Sequence, residues 1–329
     1  MIRVVVFGCG VMGRKIARAL LDKKSFKIAG AVDINPEIVG KDVGTLVDAP
    51  GLGVAVQTDA ALKTLDADAV VLTTTSHLPD VAAQIGRCVE VGFDVVSTCE
   101  QLSYPWKRHP GVAAELDKLA KSRGVTVVGT GINPGFLMDT LPLILSAPCL
   151  RVDAVRVRRL QDSARRRIPF QTKIGTNLAP DEWRRKISDG SITGHVGLLE
   201  SIYAIAAGLG WKLDEANESA PEPILAERET PSGLGSVRAG RAIGLRSTAV
   251  GRKGGRSVIE LEFVAHAGLK DERDEISIEG DPPIRQVIAG GVPGDAGTVA
   301  VTVNTIPRAI EAPPGLKTMM DLAIPRWTP

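Results

Sequence analysis

Short uninterrupted apolar runs recur along the first part of the chain, and segments with apolar residues at helical spacing separate them. "IRVVVFG" (2–8) lacks polar alternation past Arg3, so it predicts a strand covered on both faces. "VMGRKIARALLDKK" follows and places Ile16, Ala17, Leu20 and Leu21 on one helical stripe. The alternation continues with "KIAGAVD" ending at Asp33, a short helix opened by Pro36, and strands "VAVQT", "DAVVLTTTS" (68–76), "FDVVSTC" and "VTVVGTG" (125–131). "PDVAAQIGRCVEVG" and "GVAAELDKLAKSRG" read as the intervening helices. Six such runs predict an α/β, Rossmann-type doubly wound parallel sheet.

From about residue 150 the pattern changes. "RVDAVRVRRLQDSA", "SVRAGRAIGLRSTAVG", "RSVIELEFVAHAG" and "DEISIEG" alternate polar and apolar residues, which predicts a largely antiparallel sheet with one packed face. Two helices are expected within it, "APDEWRRKISDGS" and "HVGLLESIYAIAAGLGW", the second apolar on nearly all sides and therefore buried. "TVAVTVNTIPRAIEA" predicts a last helix that returns to the first domain. The expected division is a dinucleotide-binding domain of residues 1–149 completed by 297–329, and an α+β substrate and dimerisation domain of 150–296.

Composition narrows the partners. Forty Lys and Arg against 38 Asp and Glu leave a net charge of +2, too balanced for a phosphate-backbone or lipid footprint, and aromatics at 4% offer no stacking surface for bases. Nucleic acid and membrane are thus not expected. No apolar stretch reaches the roughly 18 residues of a spanning helix. Cys9, Cys88, Cys99 and Cys149 are scattered, with no pairing motif and no histidine at ligand spacing, so the reading is a cytoplasmic protein with no metal.

The first chemical motif is "GCGVMG". Gly8, Gly10 and Gly13 stand in G-x-G-x-x-G spacing between a strand and a helix, with Val11 and Met12 at the helix start where amides face phosphates. Asp33 closes the second strand, where a carboxylate binds an adenosine ribose and repels a 2′-phosphate, which favours NAD over NADP. Arg14 and Lys41 are cations that keep NADP open. Thr73, Thr74, Thr75 and Ser76 end the fourth strand where a cofactor crosses. Glu100 follows the fifth apolar run, so a carboxylate stands at the sheet's carboxyl edge. By position alone it reads as a solvated strand-end glutamate or a helix cap as readily as a site residue.

Seven stretches carry a family likeness: "GCGVMGRKIA", "STCEQLSYPW", "GTGINPGFLMDTLP", "RRRIPFQTKIG", "GHVGLLES", "GGVPGDAGTVAVTVNTIP" and "APPGLKTMMDL". Together the chain resembles the 2,4-diaminopentanoate dehydrogenase family and the related native amine dehydrogenases, distant cousins of dihydrodipicolinate reductase. The resemblance implies reversible oxidative deamination: an amine loses hydride to NAD(P)⁺ and the iminium hydrolyses to ketone and ammonia. It carries over Glu100 as the active-site glutamate, His195 as a pocket residue, Asn133 and Pro134 as cofactor contacts, and Phe136 as substrate wall. The paired histidines of dihydrodipicolinate reductases have no counterpart, since no two of this chain's four histidines adjoin.

His195 also reads as a capping or core histidine at the start of an apolar helix, and Asn133 as part of a turn pair with Pro134. Arg165, Arg166 and Arg167 form a triplet that suits a solvated face, or, with Lys173, the carboxylate of an amino-acid substrate. A plain amine or ketone would need an apolar pocket instead, walled by Phe136, Met138, Phe170 and Ile174. The expected enzyme is a homodimer. Its rivals are an imine or hydroxy-acid reductase on the same scaffold and a non-catalytic dinucleotide sensor.

Overall fold

The computed structural model describes residues 1–329, the side chain of Arg165 excepted. The chain divides into two compact units, Met1–Phe136 with Pro293–Pro329, and Leu137–Val292. Both boundaries fall earlier than 149/150 and 296/297. Met138, Leu141 and Leu145 pack into the second unit's core, and the return helix already begins at Gly294.

The first unit opens with β1 (Ile2–Phe7), α1 (Val11–Leu21), β2 (Phe26–Val32), α2 (Val43–Leu46) and β3 (Val56–Gln57). It continues with β4 (Ala69–Leu72), α3 (Leu78–Val91), β5 (Asp94–Ser97), α4 (Pro110–Arg123) and β6 (Thr126–Gly129). The helix expected at Pro36 is not formed. Residues 36–40 make turns and bury only Ile38, too little apolar surface to fix a helix. The short helix comes later, where the Asp42 carboxylate caps Gly44 and also accepts the amides of Leu52 and Val54.

The second unit holds α5 (Thr140–Leu145), β7 (Arg151–Asp162), α6 (Ile168–Lys173), α7 (Pro180–Ser188) and α8 (Leu198–Gly208). Strands β8 (Glu215–Glu218), β9 (Glu222–Leu225), β10 (Thr230–Ser232), β11 (Gly235–Val237), β12 (Ala242–Lys253), β13 (Arg256–His266), β14 (Arg273–Asp281) and β15 (Ile284–Ala289) follow. The main sheet runs β15-β14-β7-β13-β12, with β8 and β9 both on the outer edge of β12. All its pairs are antiparallel except β7–β13. One face packs Val155, Val157, Leu261 and Phe263 against Leu198, Ile202 and Ile205 of α8. Alternate residues carry cross-strand charge pairs, such as Arg158–Glu262 at 2.6 Å and Arg246–Glu262 at 2.6 Å, as the period-2 pattern requires.

The chain then returns through α9 (Gly294–Glu311) and β16 (Gly315–Lys317) to the first unit. The seven-stranded sheet has the order β16-β6-β5-β4-β1-β2-β3, with every pair parallel. Alternate strand residues face opposite helical layers. Val4, Val6 and Val71 join the core with Ile16 of α1 and Val303 of α9, whereas Val5, Phe7 and Val70 join Ile85 of α3 and Leu116 of α4. Burial on both faces explains why the strands read as continuous apolar runs. Strand order reverses between β1 and β4, which places the ligand crevice of such sheets at the carboxyl ends of these two strands. Among the described residues no helix is long and apolar enough to cross a membrane.

Candidate active site

The glycine turn lies at that reversal. Gly8 takes φ +94°, and a β-carbon on Gly13 would run into the Gly8 carbonyl oxygen, so the turn and the α1 start are in contact. A β-carbon on Gly10, by contrast, would meet nothing within 4 Å. Gly10 is also the N-cap of α1, which has neither a side-chain cap nor an acidic residue in its first turn, and Val11 behind it is exposed. An open approach to uncapped amides suits a pyrophosphate. Met12 is half-buried against the core beneath.

Asp33 directly follows β2. Its two carboxylate oxygens accept from the main-chain N–H of Cys9 at 2.6 Å and of Asn35 at 2.9 Å. Arg14 donates from Nε to the Cys9 carbonyl at 2.9 Å. Burial, with the nearby Asp33 charge, pushes the Cys9 thiol up to about 12, which favours its protonated form.

Thr73–Ser76 lie beyond β4 rather than within it, because the strand ends at Leu72. The Thr73 hydroxyl donates to the Gly8 carbonyl at 2.7 Å and so ties this segment to the glycine turn. Thr74 is exposed and bonded to Gln84 at 2.6 Å, while Thr75 Oγ1 accepts the His77 amide at 3.4 Å. These residues, with Gly8, Gly10, Gly13 and Asp33, can hold the adenosine, pyrophosphate and ribose of a nicotinamide dinucleotide. Asn133 and Pro134, joined by a cis peptide bond, follow β6. Phe136 ends this part of the first unit half-buried.

Glu100 opens a 3₁₀ turn over Glu100–Leu102, directly after β5. It is half-buried, and its carboxylate accepts no hydrogen bond from the described residues of the chain. Its carbonyl accepts from the Ser103 main-chain amide at 3.1 Å and hydroxyl at 2.8 Å. The turn presses on β6: a β-carbon on Gly129 would approach the Ser103 nitrogen to 2.6 Å. Gln101 and Ser97, which nothing in the spacing singled out, tie the turn to the chain after β4. The Gln101 amide N–H donates to the Ser76 carbonyl at 3.3 Å. Candidate acid and candidate cofactor seat are therefore joined by hydrogen bonds within one unit.

His195, Met138, Phe170, Lys173 and Ile174 belong to the second unit. His195 does not begin a helix. It lies in an irregular stretch before α8, which starts at Leu198 behind Gly197 at φ +109°, and its ring stacks on Phe263 with centroids 4.6 Å apart. The Lys173 carbonyl accepts the Gly194 amide at 3.4 Å, so the end of α6 adjoins the His195 segment. Phe170 on the same helix lies under the Arg166 guanidinium at 4.3 Å. Met138 and Ile174 are fully buried and share a core with Trp183, Ile202 and Phe263. The Arg165 side chain lies outside the described residues, and Arg167 is the N-cap of α6.

Several polar groups of this unit escaped the sequence reading. Asp139 is buried, caps α5 through the Thr140 amide at 2.6 Å and accepts the Ser201 hydroxyl of α8 at 2.8 Å. Glu200, which precedes Ser201 on α8, is wholly buried. Arg159 and Asp274 form a buried pair at 3.3 Å, and both bond the main chain of Val292. Periodicity assigns such residues to strands and helices but cannot show which cross-chain partner makes their burial tolerable.

Comparison with known proteins places this geometry. Residues 136–328 match the family model of the 2,4-diaminopentanoate dehydrogenase C-terminal domain, and residues 2–99 that of the dihydrodipicolinate reductase N-terminus. The chain is 33% identical to a 2,4-diaminopentanoate dehydrogenase of Acetoanaerobium sticklandii, over 99% of this chain and 94% of that one. It is 28% identical to an amine dehydrogenase of Streptomyces virginiae, over 98% and 97% of the two chains. The solved structure of an amine dehydrogenase from Mycobacterium smegmatis superposes with a TM-score of 0.86 at 29% identity, covering 99% of this chain and 97% of that one.

Proposed function

This chain belongs to the 2,4-diaminopentanoate dehydrogenase family, a family of nicotinamide-dependent dehydrogenases acting on amines, and from that premise we propose that it interconverts a short amine with its ketone and ammonia. The observation that carries the reading is Glu100: a half-buried carboxylate with no side-chain partner among the described residues, at the carboxyl edge of the parallel sheet and bonded through its turn to Ser76.

A nicotinamide dinucleotide bound at the glycine turn supplies the hydride acceptor or donor. The chain's own contribution is charge and protons. In the amination direction Glu100 takes a proton from ammonium, freeing the nitrogen to attack the carbonyl. It then returns that one proton to the hydroxyl that leaves the carbinolamine as water, and, ionised again, lies opposite the positive C=N⁺ group that results. Partial burial strengthens that attraction, because Coulomb energy varies inversely with the local dielectric. Within the first unit Phe136 is assigned to the substrate wall and Asn133 and Pro134 to the cofactor; within the second, His195, braced by Phe263, is the candidate substrate contact. Lys173, a half-buried residue whose main-chain carbonyl meets the His195 segment, offers an ammonium for a substrate bearing a carboxylate, as the name of the Acetoanaerobium relative implies.

Asp33 supports NAD as the preferred cofactor. The charge-laced face of the second unit's sheet supports a homodimer paired through it, and the scattered free cysteines support a cytoplasmic location. Light scattering that returned the 34.7 kDa monomer mass at working concentration would remove that proposal.

The test of function is NAD(P)H consumption with a panel of short ketones and 4-oxo acids, with and without ammonium. Consumption is expected only with both ketone and ammonium. Glu100→Ala is expected to lower it at least about a hundredfold, the upper range for one acid–base group, while NADH still binds. Turnover that ignores ammonium would instead make the protein a ketone or imine reductase, and NADH binding without any turnover would make it a sensor.

A further inference from the structure

Glu100 can serve only if its turn is fixed relative to the cofactor seat, and two buried side chains fix it. The Gln101 side chain is 6% exposed, and its Oε1 accepts the main-chain N–H of Leu78 at 2.9 Å. Leu78 opens α3, where an amide has no partner inside the helix, and the N-cap His77 supplies no side-chain cap. A side chain from the neighbouring turn thus does the capping. Ser97 is fully buried at the end of β5. Its hydroxyl donates to the Leu72 carbonyl at 3.1 Å and accepts the Cys99 amide at 3.1 Å.

Leu72 and Leu78 bracket the Thr73–Ser76 segment, and Ser97 and Gln101 bracket Glu100. The two short segments are therefore bonded at both ends. From this we propose that Gln101, assisted by Ser97, is a positioning residue: it sets where Glu100 stands relative to the residues after β4. This rests on Glu100 being the acid–base group. An ordinary helix cap would contribute stability alone. A tie between cofactor seat and acid contributes to rate, because displacement of a catalytic group by about 1 Å costs on the order of a hundredfold.

The substitutions Gln101→Met and Gln101→Glu separate the two roles. Methionine keeps the length but removes the acceptor. Glutamate keeps an acceptor for the Leu78 amide, and the positive start of α3 offsets its charge. With ketone, ammonium and NADH, kcat of Gln101→Met is expected to fall roughly tenfold or more, against no more than about a threefold change in NADH Kd measured by fluorescence. Gln101→Glu is expected to regain most of that kcat at a similar Kd.

Two results overturn the proposal: a kcat for Gln101→Met within about twofold of wild type, or a Gln101→Glu that binds NADH normally yet stays as slow as Gln101→Met. Should Gln101→Met fail to fold, Ser97→Ala removes the second tie, and an undiminished kcat there has the same force. Glu100→Gln run in parallel distinguishes the deeper failure. If it keeps ammonium-dependent turnover, the assignment of the acid is wrong; if it loses turnover while Gln101→Met does not, only the positioning role falls.

Discussion

The main-chain amide of Cys9 donates to the carboxylate of Asp33 at 2.6 Å, so the residue proposed to read the ribose also latches the glycine turn. Arg14 closes the group from the other side through the Cys9 carbonyl. Asp33 and Arg14 are thus joined through one residue and, among the described residues, form no ion pair, which leaves the terminal nitrogens of Arg14 for an anion.

Cofactor selectivity should follow from this arrangement. Asp33→Asn retains an acceptor for the Cys9 amide and removes the charge, so the ratio of NADPH to NADH affinity is expected to rise roughly tenfold, the value of one charged contact. Arg14→Ala should move the ratio in the opposite direction. Fluorescence titration of both cofactors against each variant measures it, and an unmoved ratio in both would mean that neither side chain reads the ribose.

Stability should depend on pH through Asp94. Burial pushes its carboxyl up to about 6, with the Thr126 amide at 2.7 Å opposing and the Asp68 charge adding to the rise. The folded form therefore holds a proton that the unfolded chain releases from about pH 4 upward. Stability from this site is greatest below that range, falls as pH rises through 6, and is level above. Asp94→Asn keeps an acceptor for Thr126 and cannot ionise, so it should stabilise by about 1 kcal/mol at pH 8 and by nothing at pH 4. Urea unfolding at the two pH values decides; equal effects would contradict the cause given.

The Arg159–Asp274 pair offers a third check. Burial pulls the Arg159 guanidinium down to about 10 and pushes the Asp274 carboxyl up, opposed there by Arg159 itself. Asp274→Ala strands a buried cation and the Val292 amide, at an expected cost of about 3–5 kcal/mol. Replacing both residues, Arg159→Met with Asp274→Leu, removes the stranded charge and should cost clearly less. Denaturant midpoints of the single and double variants would have to be equal for the pair to be irrelevant.

Much of the first unit was legible in sequence because strands buried on both faces must be apolar throughout. The helix stripes of α1 and α3 were legible for the related reason that one side faces the sheet. The misplaced elements have short-range causes. Pro36 offers a helix start, yet the residues behind it carry no apolar stripe to hold one. Three residues at Gly315–Lys317 are too few to show a period, and they become a strand only because β6 leaves an edge to pair. His195 reads as a helix start because the apolar run begins beside it, whereas Gly197 in the left-handed region starts the helix later.

The sequence by itself determined the doubly wound sheet, the glycine turn with Asp33, and the arrival of Glu100 at the end of a buried strand, since each is a matter of periodicity or of one residue type at a fixed offset. Tertiary structure alone decided that Met138 and Ile174 are core, that Asp33 latches Cys9, and that Gln101 and Ser97 tie Glu100 to the chain after β4. Those outcomes depend on hydrogen bonds and packing between residues dozens of positions apart. A buried polar group is tolerable only where a partner meets it, and the partner's position is set by how the strands are ordered, not by its distance along the chain.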